Sequence, residues 1–180
     1  MSNILLGVTG SIAVYKAADL ANALTKRGHS VSVVMTANAM EFVAPLTFET
    51  LTKRPVYCDS FEKAEGFDVE HIGLAKQADA LLIAPATANF IGKAAAGIAD
   101  DLLTTVLMAA YGKPAIICPA MNTAMYENPI VQANMEKLAG LGYTFIEPRE
   151  SVLACGDLGK GALAETEVIL AETEKLVNDK

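Results

Sequence analysis

Asn122 stands in the middle of ICPAMNTAMYENP, residues 117–129, just past an apolar run that closes at Pro119. Its amide donates and accepts at once, which suits a polar ligand gripped from two sides. Met121 and Met125 fall one helical turn apart on a common face, a spacing that serves core packing as readily as the wall of a ligand site. Near the start of the chain, Thr9, Gly10, Ser11 and Ile12 follow an apolar run and lead straight into a helical pattern. Backbone N–H groups at such a turn, with a small hydroxyl beside them, bind a phosphate well, although an ordinary strand-to-helix turn needs the same glycine and N-cap. The turn is not GxGxxG, so a dinucleotide is disfavoured and a mononucleotide such as FMN stays open. Thr36 and Asn38 offer either phosphate ligands or a plain helix cap, and capping is the simpler reading. Thr87 and Asn89 open a helix rich in Ala and Gly. Small residues there admit a flat group, a second subunit or simply a close helix.

The elements that must position these residues alternate in type. Apolar β-rich runs cover 3–8, 31–36, 55–58, 80–85, 115–120 and 143–148, with helical stretches such as Ile12 to Arg27 between them. Ser11 is the expected N-cap of that helix and Gly28 its stop. The alternation predicts an α/β fold with a doubly wound parallel sheet of six strands. Runs that are apolar throughout imply helices on both faces of the sheet. Ligands in such sheets sit beyond the carboxyl ends of the strands, where all the residues named above fall.

Composition sets the outer limits. A chain of 180 residues with 52% hydrophobic content can bury one sizeable core, and a single domain over 1–180 is expected. A net charge of -7 without a basic stripe disfavours nucleic acid. No basic leader precedes the first apolar run and no stretch reaches spanning length, so the expectation is no membrane and a cytoplasmic location. Cys58, Cys118 and Cys155 form an odd set without CxxC spacing, which argues against both a disulfide framework and a structural metal site.

Five segments, in order, now carry a resemblance over about the first 165 positions: TGSIA (9–13), HIGLA (71–75), PATAN (85–89), PAMNTAM (119–125) and ACGDLGKG (154–161). Together they resemble the homo-oligomeric flavin-containing cysteine decarboxylases. That resemblance implies a three-layer, Rossmann-like sandwich with FMN held by Gly10, Ser11, Ile12, Thr36, Asn38, Thr87 and Asn89. It gives the substrate to Asn122, Met125 and Lys160, and catalysis to His71, Cys155 and Asn122. Two departures stand out. Phe90 replaces a small hydroxyl residue after PATAN, with Thr87 still able to supply a hydroxyl, and Ala162 stands where many relatives have arginine, with Lys160 as a stand-in cation.

The implied activity is decarboxylation of 4′-phosphopantothenoylcysteine to 4′-phosphopantetheine in coenzyme A biosynthesis. It would be carried out by a trimer or a multiple of trimers, with a separate ligase making the substrate because the chain ends at Lys180. A carboxylate on an sp³ carbon beside an amide nitrogen leaves slowly, because the carbanion has nowhere to delocalise. Oxidation of the carbon bearing sulfur provides the electron sink, loss of CO₂ then gives an enethiolate, and the electrons return, so the net reaction is non-redox. An imidazole suits proton transfer from the thiol, and His71 is the histidine near a strand-end loop, whereas His29 follows Gly28 at a turn. Cys155, in a glycine-rich segment, would protonate the ene-thiol at the end. Peptidyl-cysteine decarboxylases, non-catalytic regulatory flavoproteins of the same fold and, more distantly, flavin prenyltransferases remain as alternatives. The ACGDLGKG segment favours the pantetheine branch.

Overall fold

The computed structural model describes residues 1–58, 70–152, 156 and 158–178. In chain order the elements are β1 (Asn3–Val8), α1 (Val14–Lys26), β2 (Ser30–Met35), α2 (Ala37–Met40), α3 (Pro45–Thr52), β3 (Val56–Tyr57), α4 (Glu70–Gln77), β4 (Ala80–Ala86), α5 (Ala88–Ala96), α6 (Leu102–Ala109), β5 (Ala115–Pro119), α7 (Thr123–Tyr126), α8 (Pro129–Gly140), β6 (Thr144–Phe145), β7 (Arg149–Val152), β8 (Leu158–Ala162) and α9 (Thr166–Asn178). The first six strands form one sheet in the order β3-β2-β1-β4-β5-β6, and every neighbouring pair is parallel. The order reverses between β1 and β4, which opens a crevice at their carboxyl ends.

Alternation along each strand splits the core into two layers. Ile4, Leu6 and Val8 of β1 join Val31, Val33, Leu82 and Ile116 under α1, α3 and α9. Leu5, Val34, Leu81, Ile83 and Ile117 face the other way, under α4, α5, α6 and α8. Helix α1 buries Val14, Ala17, Leu20, Ala21 and Leu24, the three- and four-residue spacing of one helical face. Each buried Leu there contributes roughly 1.5–3 kcal/mol relative to exposure. Gly7 faces α6, where an added Cβ would lie 2.6 Å from a Leu103 methyl, so its missing side chain lets this helix pack close to β1.

Several boundaries differ from the sequence reading, each for a local reason. Ser11 is not the N-cap of α1: Ala13 holds that position, and the Ser11 hydroxyl instead accepts the Ala13 N–H at 3.3 Å within the turn. Gly28 does end the helix region, at φ 88°. Helix α5 stops at Ala96, with Gly97 in the left-handed conformation. Met121 precedes α7 and is not on a shared helical face with Met125. Strands β7 and β8 form an antiparallel hairpin that alternation along the main sheet did not anticipate. Glycines 159 and 161 in LGKGA hide its apolar pattern.

Candidate functional site

A cavity of about 840 Å³ opens at the carboxyl ends of the strands, within the ~300–1,000 Å³ usual for ligand and cofactor pockets. Its wall is assembled from the turn after β1 (Thr9 to Ala13), the segment after β2 (Thr36 to Asn38), the start of α5 (Thr87 to Phe90), the turn after β5 (Ala120 to Asn122) and the β7–β8 hairpin. Gly10, Ser11, Ile12, Thr36, Asn38, Thr87, Asn89, Asn122 and Met125 all line it, so residues spread over more than a hundred positions of sequence meet on one surface.

Thr9 holds two of these arms together. It is 2% exposed; its hydroxyl donates to the Pro85 carbonyl at 2.8 Å and accepts the Thr87 N–H at 3.0 Å. The turn after β1 and the start of α5 are thereby fixed to each other. Thr87 then caps α5, accepting from the Phe90 N–H, and leaves the first N–H groups of the helix, at Ala88 and Asn89, without intrahelical acceptors. Gly10 serves close approach, since a Cβ there would collide with Asn38 and push the arms after β1 and β2 apart. Among the described residues the N–H groups of Gly10 and Ile12 have no protein acceptor.

Thr36 occupies the N-cap of α2, yet its side chain makes no capping bond and its Oγ1 is buried without a partner. The capping reading of Thr36 is therefore corrected: a hydroxyl left over at the wall of a cavity suits a ligand acceptor or donor better than a cap. Around these donors lie Ile12, Ala120, Met121 and Met125, with Ile12 59% and Met125 47% exposed. Large apolar side chains left this open beside a polar cradle suit a flat, partly apolar group that carries an anionic tail. FMN has that form, and the residues present fit it.

At the turn after β5, the Asn122 side chain accepts the Ala124 N–H at 2.9 Å, which fixes its amide at the start of α7. The hairpin is latched to this turn, because the Met121 N–H donates to the Gly161 carbonyl at 2.9 Å and a Cβ on Gly161 would strike that same Met121 backbone. Charge at the wall comes from Lys16, Lys93, Asp101 and Arg149. Lys93 is committed to Asp100 at 2.7 Å and Asp101 at 3.5 Å. Its hydrogen bond to Asp100 raises the Lys93 pKa and holds the Asp100 carboxyl below the ordinary range.

Two expected site residues are not brought to this wall. Lys160 pairs with Glu147 and lies 5.6 Å from the Tyr126 ring centroid, outside the lining. Its substrate role therefore stays an expectation that this chain's own cavity does not display. His71 lies in the first turn of α4, outside the lining of this chain's cavity. Cys155 falls outside the described residues. The sequence reading missed Lys93, Asp101, Arg149 and Ser151; the RESV stretch of β7 does alternate, but it is too short and too polar to read as a strand. Among the described residues no cluster of three or more His, Cys, Asp or Glu side chains could hold a metal ion, and no helix is long and apolar enough to cross a membrane.

Comparison with known proteins places this geometry in a lineage. The family model "Flavoprotein" matches residues 1–178. Over 173 residues the chain is 50% identical to the "Probable phosphopantothenoylcysteine decarboxylase" of Streptococcus mutans, covering 96% of this chain and 97% of that protein. It is 51% identical over 173 residues to the "Coenzyme A biosynthesis bifunctional protein CoaBC" of Bacillus subtilis, where the match covers 96% of this chain and 42% of the longer relative. The solved structure of "The FMN binding protein AtHal3" superposes with a TM-score of 0.85 at 34% identity, covering 99% of this chain and 98% of that one.

Proposed function

The chain belongs to the Flavoprotein family, and from that premise we propose that it binds FMN and decarboxylates 4′-phosphopantothenoylcysteine to 4′-phosphopantetheine, a step in coenzyme A biosynthesis. One observation carries the reading: a single cavity joins a donor-rich cradle built from the turns after β1, β2 and β4 to the Asn122 turn after β5. The similarity over nearly the full length of a decarboxylase relative supports the reaction. The bifunctional relative, of which this chain spans 42%, supports a ligase as pathway partner.

Gly10, Ser11, Ile12, Thr36, Asn38, Thr87 and Asn89 would hold the cofactor, whose bound form supplies a reversible two-electron acceptor. Asn122 orients the substrate carboxylate beside it with an amide already fixed through Ala124. Met121 and Met125 give that end an apolar wall against which the bound substrate would be packed. His71 takes the thiol proton and Cys155 returns one at the end of the cycle. Because His71 is not at the wall of its own chain's cavity, the reading requires a homo-oligomer, a trimer or a multiple of trimers, in which a neighbouring copy brings its own His71 to the site.

The test uses flavin-loaded protein and its absorption spectrum. Purified protein should be yellow with about one FMN per chain; protein that stays colourless after incubation with FMN would sink the cofactor assignment. His71→Asn should leave the flavin oxidised when substrate is added, and Cys155→Ser should release CO₂ and then hold the flavin reduced. Normal turnover by both variants would contradict the assigned proton carriers.

A further inference from the structure

Of the cationic side chains at the cavity wall, Lys93 is occupied by two aspartates. Lys16 belongs to α1 and adjoins the cofactor turn at Ser11 and Ile12. Arg149 differs from both. It lies on the hairpin, which is latched to the Asn122 turn through Met121 and Gly161 and so forms the substrate side of the site. Its Nε is 3.2 Å from Glu165 Oε1, yet that nitrogen is buried without an aligned hydrogen bond. Among the described residues its two terminal nitrogens make no hydrogen bond. The strand pairing shifts register between Arg149 and Glu150, an irregularity of the kind that re-aims a side chain. Directly across the hairpin is Ala162, also at the cavity wall, whose single methyl leaves the neighbouring space to the Arg149 side chain.

We propose that Arg149 is the residue that reads the phosphate monoester of the substrate. This assignment rests on the function proposed above and names the recognition element of that site. The reacting carboxylate belongs with Asn122, at the turn after β5. Arg149 is 37% and Glu165 62% exposed in their side chains, so the pair keeps contact with solvent on the hairpin, an element separate from the Asn122 turn, where the remote end of a long substrate can be held. A phosphate dianion keeps part of its hydration there, and a guanidinium with two free terminal nitrogens grips it bidentately. In a chain of net charge -7 such a fork is a local cation where a polyanionic substrate needs one.

The experiment measures binding of 4′-phosphopantetheine and of pantetheine to the FMN-loaded protein by calorimetry, so it needs no turnover and fails independently of the decarboxylase reading. Wild type should prefer the phosphorylated compound, and Arg149→Ala should erase about 10- to 100-fold of that preference, as expected for a lost charge-assisted pair. The double variant Arg149→Ala with Ala162→Arg returns the guanidinium from the opposite strand and should recover much of the preference. It also guards against a single variant that folds poorly. Absence of any phosphate preference in wild type, an equal loss for both compounds in Arg149→Ala, or failure of the double variant to recover preference would each overturn the assignment.

Discussion

The Thr9 hydroxyl is one group on which two arms of the cradle depend, through Pro85 and Thr87. Thr9→Val keeps the shape and removes both bonds, leaving a buried N–H unsatisfied. It should weaken FMN binding about tenfold, in line with ~1–3 kcal/mol for such a loss, while Thr9→Ser should retain wild-type affinity. Fluorescence titration of apoprotein with FMN checks this, and equal affinities for Val and wild type would remove Thr9 from the cradle. Cys118, fully buried in β5, has its thiol pushed far up by desolvation. It should resist a disulfide reagent at neutral pH until the protein is unfolded, a reaction followed by mass spectrometry; rapid labelling of Cys118 in native protein would contradict the burial. The residue types of the site were legible where a short motif fixes them, as at Gly10, Thr87 and Asn122. Arg149 and the turning of Lys160 toward Glu147 were not, because which way a cation on the hairpin faces depends on side-chain direction within tertiary packing.

Among the elements, α6 shows most plainly how a helix end and the cavity wall share a residue. Asp101 caps it, accepting from the Thr104 N–H at 2.8 Å in a reciprocal capping box, while also pairing with Lys93 and lining the cavity. Asp101→Ala should destabilise the protein by about 1 kcal/mol, and Asp101→Asn, which keeps an acceptor for Thr104, by less than half as much. Urea denaturation separates them; equal losses would shift the weight from the cap to the ion pair. The parallel strands were readable because several, covered on both faces, have runs that are apolar almost throughout, as in ALLIAPA of β4. The hairpin was not readable: its glycines are there for close approach to Met121 and Thr123, a demand made by the fold and invisible in a periodicity.

For the molecule as a whole, the central expectation is that a complete site draws on two copies of the chain, since Asn122 lines the cavity and His71 does not. His71→Asn and Asn122→Asp, each inactive alone, should therefore complement when unfolded together and refolded, recovering roughly a quarter of wild-type activity if chains mix at random in a symmetric ring. No recovery in demonstrably mixed oligomers would mean that one chain supplies both residues. Light scattering should likewise show a trimer or a multiple of it, and a monomer at micromolar concentration would contradict the shared site. The doubly wound parallel sheet was foreseeable from alternation, whereas the assembly concerns surfaces whose partners no single-chain pattern reveals. One assay tests the decarboxylation directly. Flavin-loaded protein is given 4′-phosphopantothenoylcysteine labelled in the cysteine carboxyl, and released CO₂ is counted alongside 4′-phosphopantetheine. Equal amounts of both, formed over many turnovers without added reductant, are the predicted result. No CO₂ above the flavin-free control, from protein that has bound FMN, would contradict the proposed function.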